Sequence, residues 1–379
     1  MKKAIIFYAC YGGGHISAAN SINEYILSNY SDIEPVCIDF MDYLSKTIDK
    51  VTTTAYEELL KNAPALWGSV YIRSKKGPLS KISTDSNKIL AIKLNILINK
   101  YKPDYIINTH PFSAQMCAYL KKKNKLQNVK LATILTDFAS HDQWLIGNEY
   151  IDYFFVSNPE LKKELIGKNV LPEKIYETGI PLSSRFLLNF DKNKIYSDFN
   201  LSNDKYTILF FGGGRFGLGN KNTYKILEDI ARYMPNVQVV AISGKNPKME
   251  KSFKTIVEKY HRENDIKIFG FIESIPELMH ISDIIISKPG GLTTSESLAC
   301  EVPLIIINPI PGQEEQNALF IETNNLGYWI KKEDTPIGVI YQAITDTEKY
   351  KKIKNNTKKF AKKNATQKIC EILFQKKSD

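Results

Sequence analysis

Short apolar runs alternate with amphipathic stretches along the whole chain, and the alternation repeats in two halves. In the first half the runs include AIIFYA, PVCIDF, DYIINTH, KLATILTD and YFFVSN. In the second they include TILFFGGG, VQVVAISG, IKIFGF, DIIISK and VPLIIIN. Segments of helical period lie between them, such as ISAANSINEYILSNY in the first half and RFGLGNKNTYKILEDIARYM in the second. Apolar runs of this length, separated by helical patterns, predict parallel strands covered on both faces. The pattern divides the chain into domains at roughly 1–195 and 200–355. A basic helical segment, roughly 356–379, is expected to cross back onto the first domain.

In open α/β sheets ligands bind beyond the carboxyl ends of the strands. The polar residues that follow the runs are Gly12 to His15, His110, Asp137, Gly212 to Gly214, Ser243 to Lys245 and Ser287 to Gly291. Two Rossmann-like domains facing each other would set these ends across one cleft. The first stretch, GGGH, does not have the G-x-G-x-x-G spacing of a dinucleotide fingerprint. It reads either as a phosphate cradle with a catalytic base beside it or as a tight strand-to-helix turn that contains His15.

In the second half, Gly290 and Gly291 leave a strand and open a helix whose first turn, LTTSE, presents free backbone N–H groups and hydroxyls. Such a helix start accepts a diphosphate without a metal. Glu296 either accepts hydrogen bonds from a ribose diol or complements the helix dipole. Gln313 and Glu314, in PGQEEQNA, combine donors and acceptors suited to sugar hydroxyls, or belong to an ordinary surface loop.

Charge sharpens the picture once it is located. The formal net charge is +10, and residues 45–130 hold sixteen Lys and Arg against five Asp and Glu, so the excess sits in one region. It points to an anionic partner, or else to a solvated lysine-rich face. Five scattered cysteines without CxxC spacing indicate a reducing compartment and no structural zinc. The apolar start MKKAIIFYAC stops at Gly12 and runs into a patterned strand and helix, and no long apolar stretch follows. Neither a secretory signal nor a membrane span is expected.

The order KPGG-x-TT-x-E, then P-x-PGQE-x-x-NA, with GGGH near the start, resembles the metal-independent GT-B glycosyltransferases of the MurG and monogalactosyldiacylglycerol synthase group. GGGHISAA from Gly12 to Ala19, LTDFASHDQWL from Leu135 to Leu145 and GIPLSSRF from Gly179 to Phe186 are most similar to the bacterial processive diacylglycerol glucosyltransferases and their plant galactosyl relatives. The resemblance implies two Rossmann-like domains, no cofactor and no metal. It further implies an inverting transfer of a hexose from a UDP-sugar to diacylglycerol or a glycosyl-diacylglycerol. Glucose is favoured, because the TDF-x(2)-H-x(2)-W form is similar to the glucosyl branch.

The same resemblance places His15 as the general base. Asp137 would orient or assist it, and a helix cap is the alternative for that residue. Donor contacts fall to Gly13, Gly14, Gly213, Arg215, Ser243, Gly244, Phe271, Gly290, Gly291, Thr293, Thr294, Glu296, Gln313 and Glu314. His141 and Trp144 are placed on the acceptor side, with a half-buried core aromatic as the alternative for Trp144. His110 is set aside from the catalytic set. The basic segment of roughly 50–95, with Lys75, Lys76 and Lys81 around WGSVYIR and GPLSK, is expected to be a mobile insertion facing an anionic membrane. The partners expected are a UDP-sugar, diacylglycerol and an anionic membrane surface, not nucleic acid, at the cytoplasmic face of the cell membrane. A polyprenyl or other acceptor, a sugar-nucleotide epimerase and a non-catalytic UDP-sugar sensor remain as alternatives.

Overall fold

A computed structural model describes residues 1–9, 13–47, 78–213 and 221–375. The chain forms two compact units, one of Met1–Ser183 together with the segment from Asn364, the other of Ser184–Lys363.

The first unit is built on six strands: β1 (Lys2–Tyr8), β2 (Ile33–Asp39), β3 (Tyr105–Asn108), β4 (Lys130–Ile134), β5 (Tyr153–Val156) and β6 (Ile175–Glu177). They pair in the order β2-β1-β3-β4-β5-β6, and every pair is parallel. Alternation along β1 shows why both faces are covered. Ala4 and Ile6 point to one face, where they meet Ile22 and Ile26 of helix α1 (Gly13–Asn29). Ile5 and Phe7 point to the other, against Leu44 of α2 (Phe40–Thr47), Leu94 and Ile98 of α3 (Pro78–Tyr101), and Met116 of α4 (Pro111–Lys122). β2 carries Pro35 and is only partly buried, as suits an edge strand whose outer N–H groups need no partner. Helix α5 (Pro159–Gly167) packs under β5 and β6 through Leu161 and Leu165.

The second unit repeats the plan. After α6 (Lys192–Asp198), its strands are β7 (Tyr206–Phe211), β8 (Val237–Ile242), β9 (Ile266–Phe269), β10 (Ile284–Ser287), β11 (Leu304–Ile306) and β12 (Gly327–Trp329). Their order is β12-β11-β10-β7-β8-β9, again all parallel. The helices between strands are α7 (Lys221–Tyr233), α8 (Pro247–Lys259), α9 (Ile275–Ile281), α10 (Gly291–Ala299) and α11 (Gln313–Thr323), followed by α12 (Pro336–Thr345) and α13 (Thr347–Phe360).

The boundaries differ from the sequence expectation in three places. Residues 184–198 belong with the second unit: Arg185 pairs with Glu277 at 2.9 Å, and the Tyr196 hydroxyl donates to the Ile281 carbonyl at 3.3 Å. The terminal segment is divided, because α13 stays with the second unit while the last helix, α14 (Ala365–Phe374), joins the first. There Ile369, Cys370 and Leu373 enter the apolar layer of Ile6 and Ile22, and the Thr366 hydroxyl donates to the Leu182 carbonyl at 2.8 Å. The third difference lies in the segment of roughly 50–95, expected to be a mobile insertion. From Pro78 it is α3, a helix that includes Lys81, and its buried positions Leu90, Ala91, Leu94, Leu97 and Ile98 follow helical spacing. The rest of that segment, with Lys75 and Lys76, lies outside the described residues.

If α14 completes the first core, Ile369→Ala leaves a cavity in it and destabilises that unit by about 2–5 kcal/mol. Urea unfolding measures this, and a variant with wild-type stability would show that the helix is dispensable.

Candidate active site

Each sheet has one place where successive connections leave in opposite directions, and a crevice forms there. In the first unit it lies between β1 and β3, because β1 is followed by β2 on one side and flanked by β3 on the other. His15, two residues into α1, and Thr109 with His110, directly after β3, therefore meet at one point.

The contacts there are specific. His15 Nδ1 lies 2.5 Å from the Thr109 carbonyl oxygen. A carbonyl only accepts, so Nδ1 carries the proton and Nε2 keeps the free lone pair. The Thr136 hydroxyl, at the end of β4, is 3.2 Å from the same Nδ1. The Thr109 hydroxyl turns back to the His15 carbonyl at 2.9 Å and clamps the start of α1 to the end of β3. Burial lowers the His15 pKa from 6.5 to about 4, partly offset by the bond to Thr109, so the ring is neutral at neutral pH.

Two more of the five histidines gather here. The His110 ring stands edge-on to that of His15, with centroids 4.7 Å apart. His141 lies within reach of the His15 charge and is lowered to about 3, chiefly by burial and next by that charge. The segment that carries His141 is fastened to α5, where Lys168 reaches Ser140 and Asp142, each at 3.1 Å.

Of the other first-unit candidates, Asp137 is buried at the end of β4, and its carbonyl accepts from the Ser157 hydroxyl at 2.8 Å. Thr136, beside it, touches the His15 ring, and sequence pattern alone did not single it out. Trp144 is 1% exposed, packed among Ala114, Leu135, Ile151 and Phe154. The indole presents no face to an acceptor in this structure, and its placement on the acceptor side gives way to the core alternative. His141, its neighbour at 5.7 Å between ring centroids, stays at the site.

The second unit has its crevice between β7 and β10. Gly212 and Gly213 follow β7. A Cβ on Gly212 would run into Met249 Sδ and the Phe253 ring, so a larger residue there must displace buried side chains, and Gly213 has φ of +91°. Gly13 and Gly290 are different, because a Cβ at either would meet nothing within 4 Å. Neither is required by the fold, and each leaves the backbone open to close approach. Gly214 and Arg215 lie outside the described residues, as does Gly12. Gly14 sits in the first turn of α1, beside His15.

After β10, Gly290 is the N-cap of α10 and supplies no side chain to it. The Thr294 N–H bonds back to the Gly290 carbonyl at 2.9 Å, and no acidic residue occupies the first turn, which also holds Gly291 and Thr293. The Thr294 hydroxyl is buried without a hydrogen-bond partner. An uncapped helix start of this kind is a favourable place for an anion. Glu296 lies one turn on, and burial raises its carboxyl from 4.5 to about 7. Ser243 spends its hydroxyl on the Phe269 carbonyl at 3.1 Å, and Gly244 has φ of +61°. Phe271 is 63% exposed, with the Lys245 ammonium 5.0 Å from its ring centroid.

The loop after β11 is tied to this helix start. Asn317, fully buried, donates to the Pro289 carbonyl at 3.0 Å. The Glu314 carboxylate accepts the Ile310 N–H at 2.7 Å and faces Lys288 at 4.0 Å. Burial raises the Glu314 pKa, opposed by Lys288 and that N–H. Gln313 opens α11 beside it. Glu314 thus holds the loop's own shape, and Asn317 and Lys288 are supporting residues that the sequence reading did not name. Among the described residues no cluster of His, Cys, Asp and Glu is arranged to hold a metal ion, and no helix is long and apolar enough to cross a membrane.

Two Rossmann-like units, each with a ligand-facing turn at its topological switch, define a GT-B architecture of the glycosyltransferase class. Comparison with known proteins narrows this. Residues 15–182 match the Monogalactosyldiacylglycerol (MGDG) synthase family and residues 191–360 match Glycosyl transferases group 1. The chain is 30% identical to a processive diacylglycerol beta-glucosyltransferase of Bacillus mycoides, over 94% of this chain and 89% of that one. Among solved structures, Acinetobacter baumannii MurG matches at 12% identity with a TM-score of 0.64, covering 99% of this chain and 100% of that one. The UDP-GlcNAc 2-epimerase of Neisseria meningitidis, bound to UDP-GlcNAc, has the same score and coverage at 16% identity. These two likenesses establish the fold. The chain belongs to the family of the processive diacylglycerol β-glucosyltransferases, in the monogalactosyldiacylglycerol synthase group, and is a glycosyltransferase.

The acid stability of the first unit follows from His15. Its pKa is near 6.5 in the unfolded chain and about 4 in the folded one, so between these values the unfolded chain binds more protons. Its contribution is complete above about pH 6.5 and is lost as pH falls toward 4, by about 3 kcal/mol at most. His15→Gln, followed by urea unfolding from pH 7 to 4, makes that decline shallower. A decline identical to wild type would refute the burial-driven shift.

Proposed function

We propose that the protein transfers a hexose, glucose by preference, from a UDP-sugar to diacylglycerol or a glycosyl-diacylglycerol, with inversion to a β-linkage and without a metal. The observation that carries this reading is the fixed tautomer of His15. With the proton on Nδ1, the lone pair is on Nε2, which is what an attacking alcohol needs in order to lose its proton as it reaches the anomeric carbon.

In this mechanism His15 Nε2 takes the hydroxyl proton. The resulting imidazolium keeps its Nδ1–H on the Thr109 carbonyl, with the Thr136 hydroxyl beside it. A pKa of about 4 keeps His15 neutral, and so able to take the hydroxyl proton, from neutral pH down to about pH 5. The departing UDP gains charge that the open helix start of α10 stabilises, with the backbone at Gly290 and Gly291 close to the phosphates. Glu296 accepts from the ribose hydroxyls, Phe271 lies beside the base, and Gln313 and Glu314 meet the sugar.

The acceptor is a lipid, so the protein works at a surface, and two features support a peripheral place on the cytoplasmic leaflet. Residues 45–130 carry the basic excess. Ile92 and Ile96, one turn apart on α3, are 62% and 61% exposed. Cations over anionic lipid with apolar side chains entering the interface make a reversible attachment.

The test of the reaction presents UDP-glucose and UDP-galactose in turn, with EDTA, to diacylglycerol in anionic vesicles, and resolves the products by chromatography. The expected product is a β-glucosyl lipid. His15→Ala is expected to lower turnover by a factor of roughly 10² or more while UDP-glucose still binds. Epimerised sugar nucleotide, or transfer only to another acceptor, would contradict the reading.

A second prediction concerns Glu296. Ribose hydroxyls donate more strongly to the carboxylate, which accepts on both oxygens, than to the acid, so UDP-glucose affinity rises with pH through about 7, the pKa of this carboxyl in the free protein. UDP-glucose is the probe because its diphosphate does not titrate in this range. Calorimetry on Glu296→Gln should give weaker binding with no such rise, and an unchanged pH dependence would exclude Glu296 from ribose binding.

A further inference from the structure

The mechanism leaves one buried group beside the base unused. His110 is 7% exposed, and two separate constraints fix its ring. As N-cap of α4 it accepts the Phe112 N–H on its Nδ1 at 3.2 Å, which leaves the ring proton on Nε2. The ring is also walled by Phe40 and Phe112, with centroids 5.6 and 5.1 Å away. Against this fixed ring stands His15, nearly perpendicular at 70° and 4.7 Å between centroids.

We propose that His110 is a positioning residue for His15: its ring holds the base edge-on with Nε2 free and keeps water from one side of it. This rests on the reading of His15 as the base. An N-cap needs only an acceptor, for which Asn, Asp or Ser is the usual residue. A histidine there supplies in addition a flat ring against the catalytic imidazole. Protonating His110 would remove its cap acceptor and set two cations side by side. Burial and the neighbouring His15 both hold its pKa well below 6.5, so the wall stays neutral while the base works.

Among the described residues, the titratable groups whose charges couple to His15 are His110, from the turn before α4, and His141, from the segment after β4. Asp137 follows Thr136 in that segment, and Asp142 and Lys168 act on His141. Thr109 and Thr136 are the uncharged partners.

Two substitutions separate the ring from the cap. His110→Asn keeps an acceptor for the Phe112 N–H and removes the ring, opening a space that water enters beside His15. His110→Phe keeps a ring and removes the acceptor. Both are assayed as full-length protein with UDP-glucose and diacylglycerol vesicles from pH 5 to 8, with thermal unfolding recorded for each.

We expect His110→Asn to lower kcat at least tenfold with little change in the donor KM. We also expect its rate to fall below about pH 6.5, as the hydrated His15 returns toward its ordinary pKa, where wild type stays flat. His110→Phe should retain the larger share of kcat and the flat profile while unfolding at a lower temperature. The proposal is overturned if His110→Asn keeps wild-type kcat and a flat profile, or if His110→Phe loses as much kcat as His110→Asn, because the cap would then be all that matters. His15→Ala in the same assay isolates the parent reading. Near wild-type turnover by that variant in a folded protein would refute the base assignment itself, whatever the two His110 variants do.

Discussion

A single hydrogen bond, from His15 Nδ1 to the carbonyl of Thr109, joins the start of α1 to the end of β3, and the geometry of the first unit's candidate site depends on it. It exists because these strands are neighbours in the sheet although about a hundred residues separate them in the chain. It fixes the tautomer of His15 and leaves the lone pair on the second ring nitrogen. The Thr109 hydroxyl, returned to the His15 carbonyl, makes the join rigid on both sides. A loop histidine without this clamp would sample both tautomers and would be protonated for part of the time near pH 6.5.

The second unit follows a different logic. Its strand ends are shaped less by one bond than by the omission of bonds at the start of α10, where no side chain caps the helix and Gly290 leaves the backbone bare. An uncapped helix start is a local loss of stability, and the surroundings support it. Asn317 grips the preceding carbonyl, while Lys288 and Glu314 hold the following loop against it. The raised carboxyl of Glu296 belongs with these unmet polar groups, a partly buried acid whose shift has burial as its cause and no hydrogen bond among the described residues to offset it.

The alternation of apolar runs and helical patterns made both sheets legible in the sequence, because buried parallel strands are near-continuous in Val, Ile, Leu and Phe. The three-residue edge strands β6 and β12 give too short a signal for that pattern to mark. Helix α3 was hidden by polar residues over its first turns, although its later apolar positions keep helical spacing. At the candidate site, His15 and Glu296 drew attention in the sequence because each stands in a dense local motif. The contacts of Thr109, Thr136 and His110 were not legible, since each depends on which strand lies beside which. Trp144 shows the converse, a motif residue whose neighbours in space, Leu135, Ile151 and Phe154, place it in the core.

The central claim is that His15 is neutral at neutral pH, with its proton on Nδ1 and its lone pair on Nε2. Nitrogen-15 NMR of histidine-labelled protein at pH 7 measures both points directly. The account predicts for His15 a protonated Nδ1 beside an unprotonated Nε2, unchanged down to about pH 5. A proton on Nε2, or two equivalent protonated nitrogens at pH 7, would contradict it.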